Sequence, residues 1–356
     1  MQRNGSMTLS DRRTLRRRAA GVTLIELMVA LAIGGFLMIG AVTVFVQARQ
    51  TFRLTDSVAR LQETARFALE SLEPEIRMAH YWGLTTQTAA IEGRAGPADA
   101  NGLGPDNCGT NWTIDFDKAV EASNNFYPWG TDCPAGPAGG NGAADTSDTL
   151  VVRRVSENKL EPVPPALLAD NTLYLQTRRG PTSRLFTGTA PPAEFLPISA
   201  TAPSETRVVL VTGYYVGKSS ALGANMPSLR RKAFTGKPSG DADNIPDEEV
   251  LPGVEDLQVQ FGVDTDPVGS TNRGSIDRFV NPGDPILTPG NAAFIPDAEI
   301  LAVRIWLRIR AENTEAGYKD TRTYVYADQN LPAPNDAYRR VVLSKTIYMR
   351  NARPAS

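Results

Sequence analysis

Residues 22–46, VTLIELMVALAIGGFLMIGAVTVFV, form an apolar run in which Glu26 is the only charged residue. At about 1.5 Å per residue, a helix of this length spans the ~30 Å hydrocarbon core of a bilayer. Residues 1–21 carry six arginines and one aspartate. Because positively charged flanks stay cytoplasmic, this end should remain inside and the rest of the chain should be exported. The run therefore predicts a single-pass membrane anchor with its N-terminus in the cytoplasm.

Glu26 decides between three interpretations of this run. A secretory signal has an apolar core of about 7–15 residues and then a small-residue cleavage site. Val46-Gln47-Ala48 imitates such a site only weakly, and the run here is longer. A plain signal anchor has the right length but leaves Glu26 unexplained, since an acid inside a membrane costs several kcal/mol and usually has a partner.

The third interpretation accounts for the acid. Gly21, Val22, Thr23 and Glu26, placed between the arginines and the apolar run, resemble the N-terminal motif of type IV prepilins. The resemblance implies that a prepilin peptidase removes the leader, residues 1–21, by cutting after Gly21, and then methylates the new terminus at Val22. It also implies that Glu26, with Thr23 in the same assembly motif, meets the ammonium of a neighbouring subunit. Opposite charges in an apolar medium attract strongly and offset each other's desolvation.

Two features depart from the usual prepilin pattern. Val22 follows the glycine, where the family most often has phenylalanine, and residues 22–46 contain no proline. Gly34, Gly35 and Gly40 could supply similar flexibility, or they could allow neighbouring helices to pack closely. The sequence leaves both possibilities open.

Helical periodicity continues beyond the apolar run. An apolar residue recurs every three or four positions, at Leu54, Val58, Leu61, Ala65, Leu69, Leu72 and Ile76. This stripe predicts one long helix over residues 22–81, whose second half packs against a head. Pro74 is expected to kink or interrupt this helix near its end, and Gly83 to close it.

Strand patterns dominate residues 82–356. In residues 300–310, Val303, Ile305, Leu307 and Ile309 alternate with polar residues, which indicates one buried and one solvated face. Further strands are expected at 148–155, 171–177, 206–217, 229–234, 257–264 and 338–351, and one at 111–117. We therefore predict an α+β fold in which a long N-terminal α-helix, a hydrophobic spike plus an amphipathic half, packs on a largely antiparallel, strand-rich C-terminal head.

Cys108 and Cys133 are the two cysteines of the chain. In an exported protein, such a pair in a Gly- and Asn-rich stretch predicts one disulfide, worth roughly 3 kcal/mol on the chain-entropy model. The alternative is two unrelated free thiols.

Nothing in the sequence indicates catalysis. With His80 as the only histidine, a His-based metal cluster is excluded, and the chain offers little material for a Ser–His–Asp relay. Neither a phosphate loop nor a nucleophile elbow is present. We therefore expect a protein that is not an enzyme, with no cofactor and no small-molecule substrate.

Two clusters of charged residues offer weaker binding hypotheses. The loop containing Asp241, Asp243, Asp247 and Glu248 is dense in hard oxygen ligands and is a weak calcium candidate, although its spacing differs from an EF-hand. Arg304, Arg308 and Arg310 flank Trp306 and, with Arg350 and Arg353, could form a DNA-contact stripe. A solvated sheet face is the preferred interpretation, because the chain beyond residue 21 is acidic on balance and nucleic acid binding is unlikely.

The segments LPGVEDLQVQFGVDTD, AEILAVRIWLRIRAEN, YRRVVLSKTIYMRN and ARFALESLEPEIRMAHYWG resemble PilW-type minor pilins, which are related to J-type pseudopilins of type II secretion. The resemblance implies a protein that primes type IV pilus assembly and sits in a tip complex. Its partners would be the prepilin peptidase, other minor pilins, the major pilin and an inner-membrane assembly platform. It would lie in the inner membrane with its head, residues 82–356, in the periplasm, and then reach the cell surface. The alternatives are a J-type minor pseudopilin of type II secretion, and a tip adhesin or DNA-uptake module.

Overall fold

The structure is a computed structural model that describes residues 21–86, 88, 91–92, 112, 115–130, 133–136, 141–160, 168, 172–178, 183–187, 204–234 and 245–352. Of the predicted leader, Gly21 alone lies within these residues. The chain divides into two compact units, Met1–Asp56 and Ser57–Ser356. Helix α1, Leu24–Met78, begins in the first unit and ends in the second. The predicted long N-terminal helix is thus confirmed, with bounds slightly inside 22–81.

In the first unit, every residue from Gly21 to Asp56 is exposed. The apolar side chains include Phe36 at 78% exposure and Leu24 at 77%. Leu54, which the periodicity placed on the buried stripe, is 36% exposed and does not belong to it. Among the described residues, α1 is the one helix long and apolar enough to cross a membrane.

In the second unit, α1 buries one face. From Leu61 onward the predicted stripe is confirmed, because Leu61, Ala65, Leu69, Leu72 and Ile76 are all buried, with Ala68 added to the stripe. Val58 is half-buried, so it marks the start of this contact.

The end of the helix differs from the prediction. Pro74 lies inside α1 and does not interrupt it, and α1 ends at Met78. His80, two residues after the helix, already takes the left-handed conformation with φ of 66°, and Gly83 follows with φ of 82°. A left-handed residue at this place turns the chain out of the helix.

The strands are β1 Ile91–Glu92, β2 Val120–Ser123, β3 Thr149–Val155, β4 Leu173–Arg178, β5 Ser183–Thr187, β6 Ser204–Gly217, β7 Ser228–Phe234, β8 Asp247–Pro252, β9 Val254–Asp264, β10 Arg278–Val280, β11 Glu299–Arg310, β12 Tyr324–Tyr326, β13 Gln329–Leu331 and β14 Arg340–Tyr348. A short 3-10 helix covers Pro285–Leu287. The predicted strand at 111–117 is wrong, because Trp112 and residues 115–117 lie in turns and loop.

These strands form two sheets and a hairpin. The larger sheet has the order β1-β5-β4-β6-β3-β2, with β7 paired to β6 and β8 paired to β7. The smaller sheet has the order β10-β9-β11-β14, and β12 and β13 form the hairpin. Every pairing is antiparallel except β1 with β5. The predicted α+β class and its antiparallel, strand-rich head are confirmed.

One hydrophobic core joins the second half of α1 to both sheets. Leu72 and Ile76 of α1, Leu150 and Val152 of β3, and Ile305 of β11 belong to it, and all are at most 1% exposed. A second core lies against the opposite face of the larger sheet, where Val151 meets Trp82, Phe116, Trp129 and other aromatic side chains. The larger sheet is therefore covered on both faces, which explains the continuous apolar runs in its strands.

The alternation predicted that the outer face of β11 is solvated, but aromatic rings cover part of it. The guanidinium of Arg304 lies 3.4 Å from the ring centroid of Phe279, that of Arg308 5.6 Å from Tyr324, and that of Arg310 4.3 Å from Tyr338. Aromatic rings from neighbouring segments thus cover the arginines by cation–π contacts. Arg304, Arg308 and Arg310 are therefore half-buried and do not form an exposed stripe. Of the other two arginines of the predicted DNA contact, Arg350 is exposed and Arg353 lies outside the described residues, so the absence of DNA binding stays a prediction.

Gly213 in β6 faces a ring that leaves no room for a side chain. A Cβ at this position would lie 2.6 Å from two ring carbons of Trp129. We expect Gly213→Ala to lower the free energy of unfolding by about 1–3 kcal/mol, because the ring must move out of a packed core. Urea unfolding of the detergent-solubilised protein measures this loss. The control is Gly223→Ala, where nothing lies within 4 Å of the added Cβ, and equal stability of the two variants would contradict the expectation.

Candidate processing and assembly site

The predicted cleavage position lies in an open segment. Gly21, Val22 and Thr23 precede α1 without regular structure, and Val22 is 71% exposed. Nothing in the described chain lies within 4 Å of a Cβ placed on Gly21. The peptide bond between Gly21 and Val22 is therefore open on the side of the described residues, and packing against those residues does not require the glycine.

Thr23 and Glu26 close the start of α1 reciprocally. The backbone N–H of Thr23 donates to Glu26 Oε2 at 3.0 Å, and the Thr23 hydroxyl donates to the same oxygen at 2.9 Å. The backbone N–H of Glu26 approaches Thr23 Oγ1 at 3.3 Å, and the first helical bond joins Leu27 N to Thr23 O at 3.1 Å. This arrangement is a capping box, in which the N-cap hydroxyl residue and the acid three positions later satisfy each other's backbone.

The sequence contains a signal for this box. Thr-Leu-Ile-Glu at 23–26 is the Ser/Thr-x-x-Glu pattern immediately before an apolar run. Glu26 therefore has a partner in its own chain, and is not the unpartnered acid that the apolar run predicted. The structure shows that one of its two oxygens already accepts two hydrogen bonds.

The remaining polar side chain of residues 22–46 is satisfied by the helix itself. The hydroxyl of Thr43 donates to the carbonyls of Ile39 at 3.0 Å and Gly40 at 2.8 Å. Among the described residues, Glu26 Oε1 accepts no hydrogen bond. Within residues 22–46, Glu26 is thus the one charged side chain, and no cation of the described residues pairs with it.

Two family models match parts of this chain. Residues 213–351 match the family model described as Type IV Pilus-assembly protein W. Residues 16–42 match the model described as the prokaryotic N-terminal methylation motif. A type IV-like pilin from Thermus thermophilus is 15% identical and aligns over 84% of this chain and 98% of that chain, with a TM-score of 0.29. No curated protein matches the chain significantly.

The methylation motif at the start of α1 and the strand-rich head define a type IV pilin-like protein. Within the chain, residues 213–351 match a PilW domain, and the predicted resemblance is confirmed. The PilW match begins in β6 and extends beyond the end of β14, so it takes in strands of both sheets. The apolar part of α1 anchors such a protein in a membrane.

The structure describes half of the weak calcium candidate. Asp241 and Asp243 lie outside the described residues. Asp247 Oδ1 pairs with Arg230 Nε at 2.7 Å, and its Oδ2 pairs with Lys232 Nζ at 2.9 Å. Glu248 pairs with Arg231 at 2.8 Å. Two of the four acids are thus already matched by cations, and calcium binding at this loop stays a prediction.

A different acidic cluster lies between β9 and β10. Oxygen atoms of Asp264, Asp266 and Asp277 lie within 4.8 Å of one another, a donor set of the kind that hard cations prefer. Two of these carboxylates also close the loop, because Asp264 accepts from the N–H groups of Asp266 and Gly274, and Asp277 accepts from Thr265. Sequence reasoning missed the cluster because the three acids are spread over fourteen positions that fold back on themselves.

Cys133 is buried at 1% exposure, and Cys108 lies outside the described residues. The predicted disulfide therefore stays a prediction. The segment around Cys133 is held by side chains of the head: Tyr127 donates to the Cys133 carbonyl at 2.6 Å, and Lys232 donates to the Pro134 carbonyl at 3.0 Å.

A buried acid gives the head a pH dependence. Asp148 is 1% exposed, and burial raises its pKa to about 7, although N–H groups of Asn125 and Val259 donate to it at 2.8 and 2.7 Å. Asp256, also buried, has its pKa raised by burial as well. Between the ordinary carboxyl pKa and about 7, the folded state binds more protons than the unfolded state, so stability falls as the pH rises.

We therefore expect the contribution of Asp148 to the free energy of unfolding to decline by on the order of 2 kcal/mol between pH 5 and pH 8. Asp148→Asn should flatten this slope, whatever its effect at a single pH, because the variant side chain does not titrate. Urea unfolding of the solubilised protein at each pH, followed by tryptophan fluorescence, measures the slope. Identical slopes for the two proteins would show that Asp148 does not titrate in this range.

Proposed function

We propose that this protein is a minor pilin that primes assembly of a type IV pilus and occupies a tip complex with other minor pilins. The observation that carries the proposal is the combination in one chain of an exposed Gly21–Val22 segment within a methylation-motif match, a capped acid at Glu26 and a PilW domain. In this proposal the chain has a structural role in assembly and no catalytic one.

Processing would proceed at the open segment before α1. A prepilin peptidase cuts after Gly21 and methylates the amine of Val22. The chain then lies in the inner membrane with its head in the periplasm, and later reaches the cell surface as part of the filament. Supporting this orientation, the arginines of residues 1–21 flank the apolar part of α1 on one side.

Assembly would then satisfy the charge of Glu26. The carboxylate meets the terminal ammonium of an adjacent subunit, since an isolated charge in an apolar medium is costly and a paired one much less so. The head contributes the choice of partners among minor pilins, the major pilin and the assembly platform.

Mass spectrometry of the protein isolated from membranes tests processing directly. We expect the mature chain to begin at a methylated Val22. A chain that still begins upstream of residue 22 would refute the assignment to the prepilin class of processing.

Glu26→Ala tests the assembly role. We expect normal cleavage but a drop of roughly tenfold or more in the amount recovered in sheared filaments, because the neighbour's ammonium loses its counter-charge. A loss of about 1.4 kcal/mol in subunit association is enough for a tenfold change. Immunoblots of sheared and membrane fractions give the ratio. Recovery at the level of the unaltered protein would contradict the counter-charge role.

Deleting the gene should abolish pilus-dependent twitching; loss of protein secretion instead would favour the type II secretion alternative.

A further inference from the structure

β14 is an open edge of the smaller sheet. It is nine residues long, pairs with β11 alone among the described strands, and contains neither a proline nor a register shift. The other strands with one described neighbour in the two sheets are shorter or interrupted: β1, β2 and β10 have two to four residues, and β8 carries a bulge and Pro252. Proteins shorten, bulge or charge their edge strands because an unprotected edge pairs with other chains. β14 lacks these protections, and its central cation, Lys345, is tied to Glu73 of α1.

Alternate residues of β14 direct their backbone groups away from the sheet. The bonds just outside the strand fix the alternation, because the Ala311 N–H donates to the Arg339 carbonyl at 2.8 Å and the Met349 N–H donates to the Leu301 carbonyl at 3.0 Å. In an antiparallel ladder, such bonded pairs recur at every second residue. The odd-numbered residues of β14 therefore bond β11, and the even-numbered residues point their N–H and C=O groups outward.

Both ends of this outer edge are closed, and its middle is open. A side-chain N–H of Arg322 donates to the Arg340 carbonyl at 3.0 Å, and the Arg350 N–H donates to the carbonyl of Arg77 in α1 at 3.1 Å. Between these two bonds, four residues have outward backbone groups without a partner in the described chain: Val342, Ser344, Thr346 and Tyr348. At about 3.3 Å per residue, this opening accommodates a strand of about seven residues.

The side chains next to the opening lack a negative charge. Three arginines on the outer face of the smaller sheet lie 2.7, 3.1 and 3.8 Å from Glu255. Arg304 instead bonds the Thr346 hydroxyl at 3.0 Å, and neither it nor the exposed Arg350 pairs with a carboxylate of the described residues. A second copy of this chain would bring the same arginines to the edge, whereas an acidic strand would supply the missing charge.

We propose that the edge of β14 is a docking site for an extended, acidic segment of another pilus subunit, which adds to the smaller sheet as a fifth strand. The main chain of that segment bonds the four open residues, and its carboxylate meets Arg304 and Arg350. The inference rests on the proposed function only in seeking the partner among pilus subunits.

Amide hydrogen exchange of the full-length chain in detergent tests whether the edge is open. We expect the even-numbered amides between residues 342 and 348 to exchange at least about tenfold faster than the odd-numbered ones, because only the latter are bonded within the sheet. Equal protection of the two sets would show that the chain itself covers the edge, and would overturn the proposal.

Two variants block docking in different ways. Ser344→Pro removes a donor that points away from β11, so the ladder of the sheet stays complete. Ser344→Ala is its control, because alanine keeps the backbone N–H. Arg350→Glu reverses an exposed charge and leaves the strand intact, so it tests docking even if the proline variant unfolds. Its control is Arg278→Glu, at an exposed position of β10 on the opposite edge of the sheet. Urea unfolding in detergent shows which variants are folded.

Photo-crosslinking in cells measures docking. A p-benzoylphenylalanine takes the place of Tyr348, whose side chain is 63% exposed at the open edge. We expect crosslinks to one segment of another subunit in the membrane and filament fractions, with an acidic residue within about seven positions of the crosslinked one. Ser344→Pro should lower the yield by at least about tenfold and Arg350→Glu by about fivefold, whereas both controls should stay within about twofold.

Three results would overturn the docking site: no crosslink, a crosslink to a second copy of this chain, or a yield that the folded blocking variants do not lower. The mature N-terminus is measured in the same samples. A precursor that still crosslinks would refute the processing in the proposed function and leave the docking site standing. A chain processed at Val22 that does not crosslink would do the opposite.

Discussion

Gly21→Asp is expected to leave the protein almost entirely as a precursor that keeps residues 1–21. A protease that cuts after glycine reads a position without a side chain, and an aspartate adds both bulk and charge there. The chain itself should tolerate the change, because Gly21 is exposed and nothing lies within 4 Å of an added Cβ. The defect would therefore arise at the peptidase and not from misfolding of this protein.

Slower migration on gels and intact-mass measurement of the membrane fraction report the precursor. Gly40→Ala is the matched control, since Gly40 is equally open in the described chain but lies within α1. It should be processed normally. Normal processing of Gly21→Asp would show that cleavage occurs elsewhere, and the assignment of Val22 as the mature terminus would fail with it.

Arg340→Ala is expected to cost about 3 kcal/mol of unfolding free energy, because it removes the cation that three carboxylates share. Glu255 keeps its ion pair with Arg308, and Asp320 keeps its own with Arg322, so the loss lies at the low end for a broken buried ion pair. Arg340 is the first residue of β14 and is 6% exposed. It pairs with both oxygens of Glu255 at 2.7 and 2.9 Å, and with both oxygens of Asp336 at 2.7 Å. Asp320, which is fully buried, lies 3.4 Å from the same guanidinium.

The charges of this network depend on one another. Burial by itself would lower the pKa of Arg340, but the bonds to Asp336 and Glu255 raise it above its ordinary value. Reciprocally, the bond from Arg340 lowers the pKa of Asp336. Removing the arginine therefore affects the connection before β14 and β9 of the smaller sheet together.

Urea unfolding of the solubilised protein measures the loss. Arg340→Lys should fall between Ala and the unaltered protein, because lysine keeps the charge but cannot bond a carboxylate through a planar fork. Arg278→Ala, at an exposed position of β10, should stay within about 0.5 kcal/mol. A loss at Arg340 no larger than that at Arg278 would show that the network does not stabilise the head.

The head shows where sequence patterns and tertiary contacts diverge. The alternation in β11 correctly predicted the buried face of Val303, Ile305, Leu307 and Ile309, all of them fully buried. The prediction that the opposite face is solvated was wrong, because Phe279 and Tyr338 from distant segments cover its arginines. No local pattern in the sequence predicts such contacts. The stripe on α1 failed in the same way at Leu54, since helical periodicity continues whether or not a head is there to bury it.

The sequence by itself determined the features that depend on neighbouring residues: a helix-forming apolar run, an acid within it, an arginine flank, and strands with period-two alternation. Local spacing fixes such properties, because backbone geometry repeats every 3.6 or 2 residues. Only the tertiary structure decided which carboxylates meet cations and which remain buried acids, as at Arg340 and Asp148. Those pairings join residues far apart in the chain, and their energies depend on distance and burial, which no spacing in the sequence encodes.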